Sequence, residues 1–360
     1  MFHRNSQSKS ARVLLGLTLA ASLVAVSACG EKSGNTTQGG GATPTTSASA
    51  STAPKEVKEL KIGYLNVMDD AQAMVAYDGK LYEKHALNVK MQAFESGTDL
   101  VKAMIGGDVD AGVLGFTNAL TWASKGAGLK VVGGAQMGFH SILVRNDSGI
   151  NSVADLKGKR LGSQKAGSTA DIVLTGVTLK KAGLTKEDLK MIYVEPAQAI
   201  QSLAGGAVDA AFVFEPYDKI ATKTMPVKQI YEVGKEWPFP CMVVITTDDV
   251  LKKNREGVNR MLDAQKEAID LLQKDSQKAA DLITKRFIEG DTLKTDKGDV
   301  KATSVIKESI DSQKFNWDIN ADHIKTMQEI SDIMLSQKVL DKPVKVEDIL
   351  DLTWQNAQKK

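Results

Sequence analysis

The body of the chain contains two similar segments at a fixed offset of 99 residues. Residues 104–115 (MIGGDVDAGVLG) match residues 203–214 (LAGGAVDAAFVF), and residues 61–63 (KIG) match residues 160–162 (RLG). In both copies a helical pattern precedes the Gly-Gly pair, and an apolar run of strand length follows it. A single offset kept at the first strand, at the Gly-Gly pair and at the Val-Asp-Ala that follows it is not a chance similarity. The repeat therefore predicts two similar α/β lobes.

Each lobe reads as strand, helix, strand, helix, strand, which is typical of parallel strands with helices on both faces. Residues 129–147 lie between the copies and are rich in β-formers, so we expect them to cross from the first lobe to the second. Residues 237–250 should cross back. From residue 251 the pattern turns helical, and its Met and Leu stripes indicate core faces. The fold class is α/β with two lobes, each a mainly parallel sheet flanked by helices and joined by two crossing segments.

Ligands of open parallel sheets bind outside the carboxyl ends of the strands, and two lobes would turn these ends toward one cleft that closes about a hinge. The candidate ligand-binding residues are those that follow the predicted strands, together with one histidine of the first crossing: Asn66, Asp69, Ser96, Gly97, Thr98, Thr117, Asn118, His140, Gln164, Gly167, Ser168, Thr169 and Glu215.

Two hydroxyl-rich helix starts favour an anionic ligand. Residues 96–98 (SGT) and 167–169 (GST) each place hydroxyls and backbone N–H groups at a helix N-terminus, where an oxyanion such as sulfonate binds well. The alternative role of these residues is N-capping of the helix. Thr117 and Asn118 open a third helix in the same way. Glu215 is either a first-turn charge or an acceptor for ligand N–H groups.

Acidic and aromatic residues favour a different ligand. Asp69 and Asp70 would repel a sulfonate unless they pair with Lys165 or face solvent. Phe116 and Phe214 could stack on a planar ligand, although strand-end aromatic residues also belong to cores. Such a set suits a pyrimidine or a cationic amine. The anion is the first interpretation, and the pyrimidine or amine is the alternative.

The sequence contains no pattern for a metal or a cofactor. The histidines of the body are His85, His140 and His323, and their spacing does not match a metal site. A lone histidine such as His140 can equally be a hydrogen-bonded structural residue. Cys241 either faces the hinge or is a buried, inert thiol. The net charge of +2 comes from interspersed residues of both signs, which argues against a nucleic-acid partner.

The N-terminal 28 residues are typical of an export signal: a basic start, an uncharged and mostly apolar run over residues 13–26, and small residues before Cys29. Residues 26–29 (VSAC) resemble the bacterial lipobox, which implies a lipid on Cys29 and a membrane-attached, extracytoplasmic protein. Residues 29–58 are rich in Gly, Ser and Thr and should form a flexible tether. An ordinary cleaved signal with a chance cysteine is the alternative.

The body resembles solute-binding proteins of the nitrate, sulfonate and taurine type, a family that includes binders of thiamine-precursor pyrimidines. The segments that carry the resemblance are residues 96–115, 148–163, 167–174 and 205–217. It implies a type II periplasmic-binding-protein fold with lobe 1 at residues 59–145, lobe 2 at 146–239, and a return to lobe 1 with a helical tail at 240–360. Phe214 replaces the family's usual tryptophan, and the loop after the first strand departs from the family pattern at Met68, Gln72 and Ala73.

The resemblance also implies partners: a small-molecule ligand, a permease and an ATPase of an ABC importer, with the binding protein itself a monomer. An enzyme is the competing class, because fungal thiamine-pyrimidine synthases share this fold. Those enzymes carry a cysteine-rich iron motif, whereas this body has Cys241 alone. A sensory lipoprotein is a third possibility that the sequence leaves open.

Overall fold

The protein was analysed as a computed structural model, which describes residues 56–295 and 298–359. The predicted signal peptide, the lipidation site Cys29 and nearly all of the tether lie outside these residues. The strands are, in chain order, β1 (Lys58–Leu65), β2 (Leu87–Phe94), β3 (Ala111–Gly115), β4 (Leu129–Met137), β5 (Ser141–Arg145), β6 (Arg160–Ser163), β7 (Lys190–Tyr193), β8 (Ala210–Val213), β9 (Val227–Glu232), β10 (Pro240–Thr247), β11 (Thr292–Thr295), β12 (Gly298–Lys301) and β13 (Lys314–Phe315).

The α-helices alternate with the strands in the first two thirds of the body and dominate after β10. They are α1 (Ala71–Asp78), α2 (Leu81–Lys84), α3 (Gly97–Gly106), α4 (Phe116–Ser124), α5 (Thr169–Val173), α6 (Leu179–Lys181), α7 (Pro196–Ala204), α8 (Tyr217–Thr224), α9 (Val233–Glu236), α10 (Asp248–Lys274), α11 (Ser276–Ile283), α12 (Ala302–Asp311), α13 (Ala321–Ser336) and α14 (Thr353–Gln358). A π-helical segment, Leu174–Thr178, joins α5 to α6.

Two sheets form the two predicted lobes. The first has the order β13-β4-β10-β3-β1-β2 and the second the order β7-β6-β8-β5-β9. The pairs β1–β2, β1–β3, β6–β7 and β6–β8 are parallel, and β10 and β5 run antiparallel to their neighbours. The chain crosses between the sheets at residues 138–140, within the predicted first crossing, and returns at residues 233–239, a stretch that begins four residues before the predicted second crossing at residues 237–250.

The predicted repeat is confirmed by its hydrogen bonds. In the first copy the Lys61 amide donates to Asp110 Oδ2 at 2.8 Å, and the Asp110 amide donates to the Lys61 carbonyl at 2.8 Å. In the second copy Arg160 and Asp209 exchange the same two bonds, both at 2.9 Å. Each aspartate therefore ties the loop before the third strand of its lobe to the first strand.

The helical tail packs against the first lobe, and two of its helices also reach the second. Buried residues of α10 to α14 join the core of the first sheet. The amide of Gln337, just after α13, donates to Thr175 Oγ1 of the second lobe at 2.9 Å. Lys223 of α8 forms an ion pair of 2.8 Å with Glu308 of α12.

One predicted helix is wrong in its extent. The pattern over residues 71–85 predicts a single helix, but the structure has α1 and α2 with a break at Gly79 and Lys80. Lys80 has a φ of 57°, a left-handed conformation that cannot continue a right-handed helix.

Candidate ligand-binding cleft

The carboxyl ends of the strands in the two lobes face each other. The hydroxyls of Thr117, after β3, and Thr169, after β6, lie 2.7 Å apart, and both residues are buried. Nearby, the Ser312 hydroxyl from the helical tail donates to Glu215 Oε1, after β8, at 2.7 Å. The candidate cleft is the region between the Thr117–Thr169 contact and the Ser312–Glu215 contact.

Two buried aspartates lie at the end of β1 in this cleft. Asp69 is 5 % exposed and Asp70 is fully buried. Asp70 Oδ2 accepts the Leu65 amide at 2.8 Å, while Oδ1 of both aspartates has no partner among the described residues. Burial, and then the nearby Glu215, raise the pKa of Asp69 to about 8. Asp69 is therefore largely protonated at neutral pH and can donate or accept a hydrogen bond.

Glu215 is a second buried carboxyl group and belongs to the other lobe. Its Oε2 accepts the Lys219 amide at 3.2 Å, in addition to the Ser312 bond at Oε1. Burial raises the pKa of Glu215, and the neighbouring Asp218 raises it further. The acidic groups in the cleft thus come from both lobes.

Aromatic rings surround His140 at the first crossing. The imidazole stacks on Phe212 at 5.4 Å between ring centroids, and it meets the edge of Phe214 at 5.8 Å. It also stacks on Phe239 at 6.4 Å. Burial lowers the pKa of His140 to about 4, so the ring is neutral, and its Nδ1 has no partner within the described chain.

The hydroxyl-rich helix starts act as caps. The Ser96 hydroxyl accepts the Asp99 amide at 3.2 Å and donates to Asp99 Oδ2 at 2.8 Å. The Ser168 hydroxyl accepts the Asp171 amide at 3.3 Å. The α3 and α4 starts are in close contact, since a Cβ at Gly97 would lie 2.7 Å from the Asn118 amide nitrogen. Thr98, the next residue of α3, is exposed.

Other predicted residues have different surroundings. Asn66 is exposed, and its amide donates to the Arg286 carbonyl at 2.9 Å. The exposed Gly167 donates its amide to Asp171 Oδ2 at 2.8 Å. Gln164 donates to the Phe212 carbonyl at 2.8 Å, and its own carbonyl oxygen is buried without a partner in the part of the chain described.

Neither condition under which the two aspartates would tolerate a sulfonate, pairing with Lys165 or facing solvent, is met in the structure. Lys165 is exposed. The pKa of Asp99 is lowered mainly by hydrogen bonds from Ser96 and Lys102, and the charge of Lys165 contributes less. Asp69 and Asp70 are buried, and no basic side chain of the described residues lowers their pKa values. Phe116 is fully buried and belongs to the core of the first lobe.

Several polar residues of the cleft were missed by the sequence analysis. Gln136 at the end of β4 donates to Gln313 Oε1 at 3.0 Å, and Ser309 of α12 lies beside Glu215. A glutamine inside an otherwise apolar strand was a signal for Gln136. The tail residues gave no signal, because their helical pattern shows only which residues face the core.

Buried polar atoms without partners concentrate in this cleft. Over residues 56–295 and 298–359, eleven buried side-chain nitrogen or oxygen atoms lack a hydrogen-bond partner, and Gln265 carries one of them away from the cleft. The others belong to Asp69, Asp70, Gln72, Gln136, His140, Ser163, Gln164, Ser309 and Gln313. Because a buried polar group without a partner costs about 1–3 kcal/mol, such a concentration is a feature of a binding site.

No lysine or arginine of the described residues is buried beside the acids of the cleft, and the half-buried Lys219 only partly offsets the raised pKa of Glu215. Arg260 is the only buried lysine or arginine among the described residues. It donates to Glu256 and to the Ala86 carbonyl in the first lobe. The same residues contain no group of three His, Cys, Asp or Glu arranged to hold a metal. None of their helices is long and apolar enough to cross a membrane.

The two α/β lobes and the polar cleft between them define a two-lobed solute-binding protein. The chain belongs to the NMT1-like family, whose profile matches residues 53–286. It is 26 % identical over 306 residues to a Bacillus subtilis protein named for binding aliphatic sulfonates, which covers 83 % of this chain and 88 % of the relative.

Two further proteins are similar to the chain. The taurine-binding periplasmic protein of Escherichia coli is 26 % identical over 216 residues, 59 % of this chain and 65 % of that protein. The crystal structure of the Escherichia coli periplasmic aliphatic sulphonate binding protein superimposes with a TM-score of 0.69 at 23 % identity, covering 81 % of this chain and 91 % of that structure. The predicted resemblance and the two-lobed fold are confirmed.

Proposed function

We propose that the protein is the extracytoplasmic receptor of an ABC importer and captures a small organic molecule between its lobes. The buried polar atoms without partners carry this proposal, because both lobes and the helical tail contribute them to one cleft. A ligand held there would complete their hydrogen bonds and keep the lobes together. The names of the relatives support the same class of function.

The chemistry of the cleft favours a ligand with N–H donors and a flat face, such as an aminopyrimidine or another amine. Asp69 and Glu215 are carboxyl groups that accept such donors, and a cationic amine would return them to their charged form. The half-buried Phe214, which precedes Glu215 in the chain, supplies ring surface. This is the alternative of the sequence analysis, now favoured over the anion because the buried acids outnumber the half-buried Lys219 beside Glu215.

The test is calorimetry on the full-length protein with 4-amino-2-methylpyrimidine and with taurine. Glu215→Gln should weaken binding of the aminopyrimidine about thirty- to hundredfold, because a charge-assisted hydrogen bond in a dry cleft contributes about 2–3 kcal/mol. Lys165→Met serves as the control and should leave this affinity unchanged. A loss at Lys165 with none at Glu215 would contradict the proposed ligand class.

A sulfonate is the second candidate, and the start of α3 is the observation in its favour. Gly97 and Thr98 are the first residues of this helix, at the carboxyl end of β2, where backbone N–H groups favour an anion. The names of two relatives specify sulfonates and taurine. Taurine has both an amine and a sulfonate, so it could use the acids and the helix start together. For a simple alkanesulfonate, Asp69→Asn should leave binding intact or tighten it.

Capture between lobes predicts that both lobes contribute to affinity. A ligand at a hundredfold excess over its dissociation constant stabilises the folded protein by about 3 kcal/mol. Thr98→Ala in the first lobe and Ser168→Ala in the second should each reduce the thermal shift that the ligand produces. A full shift in both variants would argue that the ligand does not contact these helix starts.

We further propose that a lipid on Cys29 attaches the protein to the membrane as a monomer beside its permease and ATPase. The support is the lipobox-like sequence at residues 26–29. Cys29→Ser should release the protein into the soluble fraction with its ligand affinity unchanged, since two acyl chains are needed for stable anchoring. Retention of this variant on membranes after a high-salt wash would show that the anchor lies elsewhere.

A further inference from the structure

Two glutamine side chains, one buried and one half-buried, form a pair at the edge of the cleft. Gln136 is 1 % exposed and lies at the carboxyl end of β4. Its Nε2 donates to Oε1 of Gln313 at 3.0 Å, and Gln313 lies one residue before β13, which pairs with β4. The remaining Gln136 oxygen and the Gln313 nitrogen are buried and have no partner among the described residues.

The pair leaves one free acceptor and one free donor group side by side. Exchanging oxygen and nitrogen in both amides keeps the hydrogen bond between them and again leaves one donor and one acceptor. Such groups are costly to bury without partners, about 1–3 kcal/mol each. Apolar residues at both positions would avoid this cost, whereas the paired amides leave a donor and an acceptor that a bound molecule can satisfy.

The position of the pair connects it to the acids of the cleft. Ser312, the neighbour of Gln313 in the chain, donates to Glu215 at 2.7 Å, and Ser309 lies beside the same carboxyl group. The strand order places β4 next to β10, which contains Cys241. Burial raises the pKa of the Cys241 thiol, and the charges of the nearby Asp69 and Asp70 raise it further. The glutamine pair is therefore part of the same interlobe region.

We infer that the Gln136–Gln313 pair is an amide clamp that recognises an N–H donor next to a nitrogen or carbonyl acceptor on one edge of the ligand. An amidine edge has this pattern, as in an aminopyrimidine, and so does a primary carboxamide. The free oxygen of the pair accepts the ligand N–H, and the free nitrogen donates to the ligand acceptor. This inference rests on the proposed function and adds two specificity-determining residues from the first lobe and the helical tail.

The test uses calorimetry on the full-length protein with two probes, 4-amino-2-methylpyrimidine and 2,4-dimethylpyrimidine, which replaces the amino group by a methyl group. Gln136→Met and Gln313→Met keep the side-chain length and remove the polar atoms. Each variant should bind the aminopyrimidine at least about tenfold more weakly. Both should also lose most of the preference for the amino over the methyl compound. The double variant should lose little more than either single one, since the two amides act as a unit.

Gln265→Met is the matched control. Gln265 is 2 % exposed, its Nε2 donates to the Tyr82 hydroxyl at 3.0 Å, and its Oε1 also lacks a partner in the described part of the chain. It lies on α10 inside the first lobe, so its substitution should alter the unfolding midpoint and leave affinity and ligand preference unchanged. Equal losses of affinity in all three variants would overturn the clamp, because they would report a general effect on stability.

The outcomes separate the clamp from the proposed function. Unchanged affinity in Gln136→Met and Gln313→Met, with a large loss in Glu215→Gln, overturns the clamp and leaves the receptor for an amino-heterocycle intact. A wild-type protein that binds neither pyrimidine overturns the clamp together with the proposed ligand class. An unchanged preference between the two probes, despite weaker binding, shows that the glutamines do not read the amino group and also overturns the inference.

Discussion

The two lobes share a framework and differ where the strands end. Asp110 and Asp209 make the same two backbone hydrogen bonds in their respective lobes. Six residues further along, the copies diverge: Phe116 of the first lobe corresponds to Glu215 of the second, and both are fully buried. One position holds an apolar core residue in the first lobe and a carboxyl group in the second.

This difference separates the residues that determine the fold from those that determine the ligand. The shared hydrogen bonds involve backbone groups, which any sequence that keeps the aspartate can satisfy. The strand ends face the other lobe, so their side chains are constrained by the ligand and by the opposite lobe. Two copies of one framework can thus supply different chemistry to a single cleft.

The packing of the helix over each sheet provides a second contrast. In the first lobe Leu100 of α3 lies over two glycines that are neighbours in the sheet, Gly63 and Gly112. In the second lobe the corresponding helix residue is Ala199, and the sheet neighbours are Gly162 and Ala211. The first lobe therefore matches a large helix residue, Leu100, with a glycine in the sheet, whereas the second matches a small helix residue, Ala199, with an alanine.

The largest effect should come from disturbing this match. Gly112→Ala places a Cβ 2.7 Å from Leu100 Cδ2, and Leu100 is fully buried. We expect a loss of about 2–3 kcal/mol in the free energy of unfolding, measured in urea. The double variant with Leu100→Ala, which copies the second lobe, should be more stable than the sum of the two single losses predicts, by about 1 kcal/mol or more.

Gly162→Ala is the control from the second lobe. Its Cβ would lie 3.3 Å from the Ala199 methyl group, a much milder contact. We expect a change below about 1 kcal/mol. If Gly162→Ala costs as much as Gly112→Ala, the packing of the two lobes does not differ in the way described.

The next effect concerns the shared aspartates. Asp110→Ala removes the acceptor of one backbone amide and should cost about 1 kcal/mol. Asp209→Ala should cost about 2 kcal/mol, because a charge-assisted pair with Arg160 is also lost. In that pair Arg160 Nη2 and Nε donate to the carboxylate at 2.7 and 3.1 Å. Urea unfolding measures both losses.

Arg160→Lys gives the second lobe the residue of the first and provides the control. In this background the loss caused by Asp209→Ala should approach the loss caused by Asp110→Ala. A difference that persists would assign the extra stability to something other than the guanidinium.

The sequence predicted the framework well and the cleft only in part. The aspartates, the paired glycines and the apolar runs recur because backbone hydrogen bonds and turns require them, so the repeat is visible in one chain. The burial of Asp69 and the partners of Glu215 depend on how the lobes and the tail meet. No local pattern places Ser312 opposite Glu215 or Gln313 opposite Gln136, and for that reason the tail's contribution was missed.

A smaller effect, equal in the two lobes, should follow from the paired glycines. Gly107 and Gly206 lie one and two residues after the ends of α3 and α7, with φ values of 81° and 75°, where a side chain is strained. Gly107 has open space around it, and a Cβ at Gly206 would be at an ordinary 3.7 Å from Arg145 Nη1. Each substitution by alanine should cost about 1 kcal/mol in urea unfolding. Unequal losses would indicate that the two helix ends are not equivalent.

The smallest effect distinguishes the lobes by pH. The hydrogen bond from Arg160 is the largest factor that lowers the pKa of Asp209, which falls to about 2 from an ordinary value of 3.8. Because the folded pKa lies below the unfolded one, this carboxylate stabilises the fold above about pH 4 and loses its effect as the pH falls through 2. Solvent screens the pair, since the side chains of Arg160 and Asp209 are 40 % and 24 % exposed.

The ion pair therefore contributes at most about 1 kcal/mol to the free energy of unfolding. The difference in unfolding free energy between wild type and Asp209→Asn should shrink by that amount between pH 6 and pH 2. In an Arg160→Met background, this difference in unfolding free energy should vary much less with pH. If the difference does not depend on pH when Arg160 is present, the charge of Asp209 is not what stabilises this lobe.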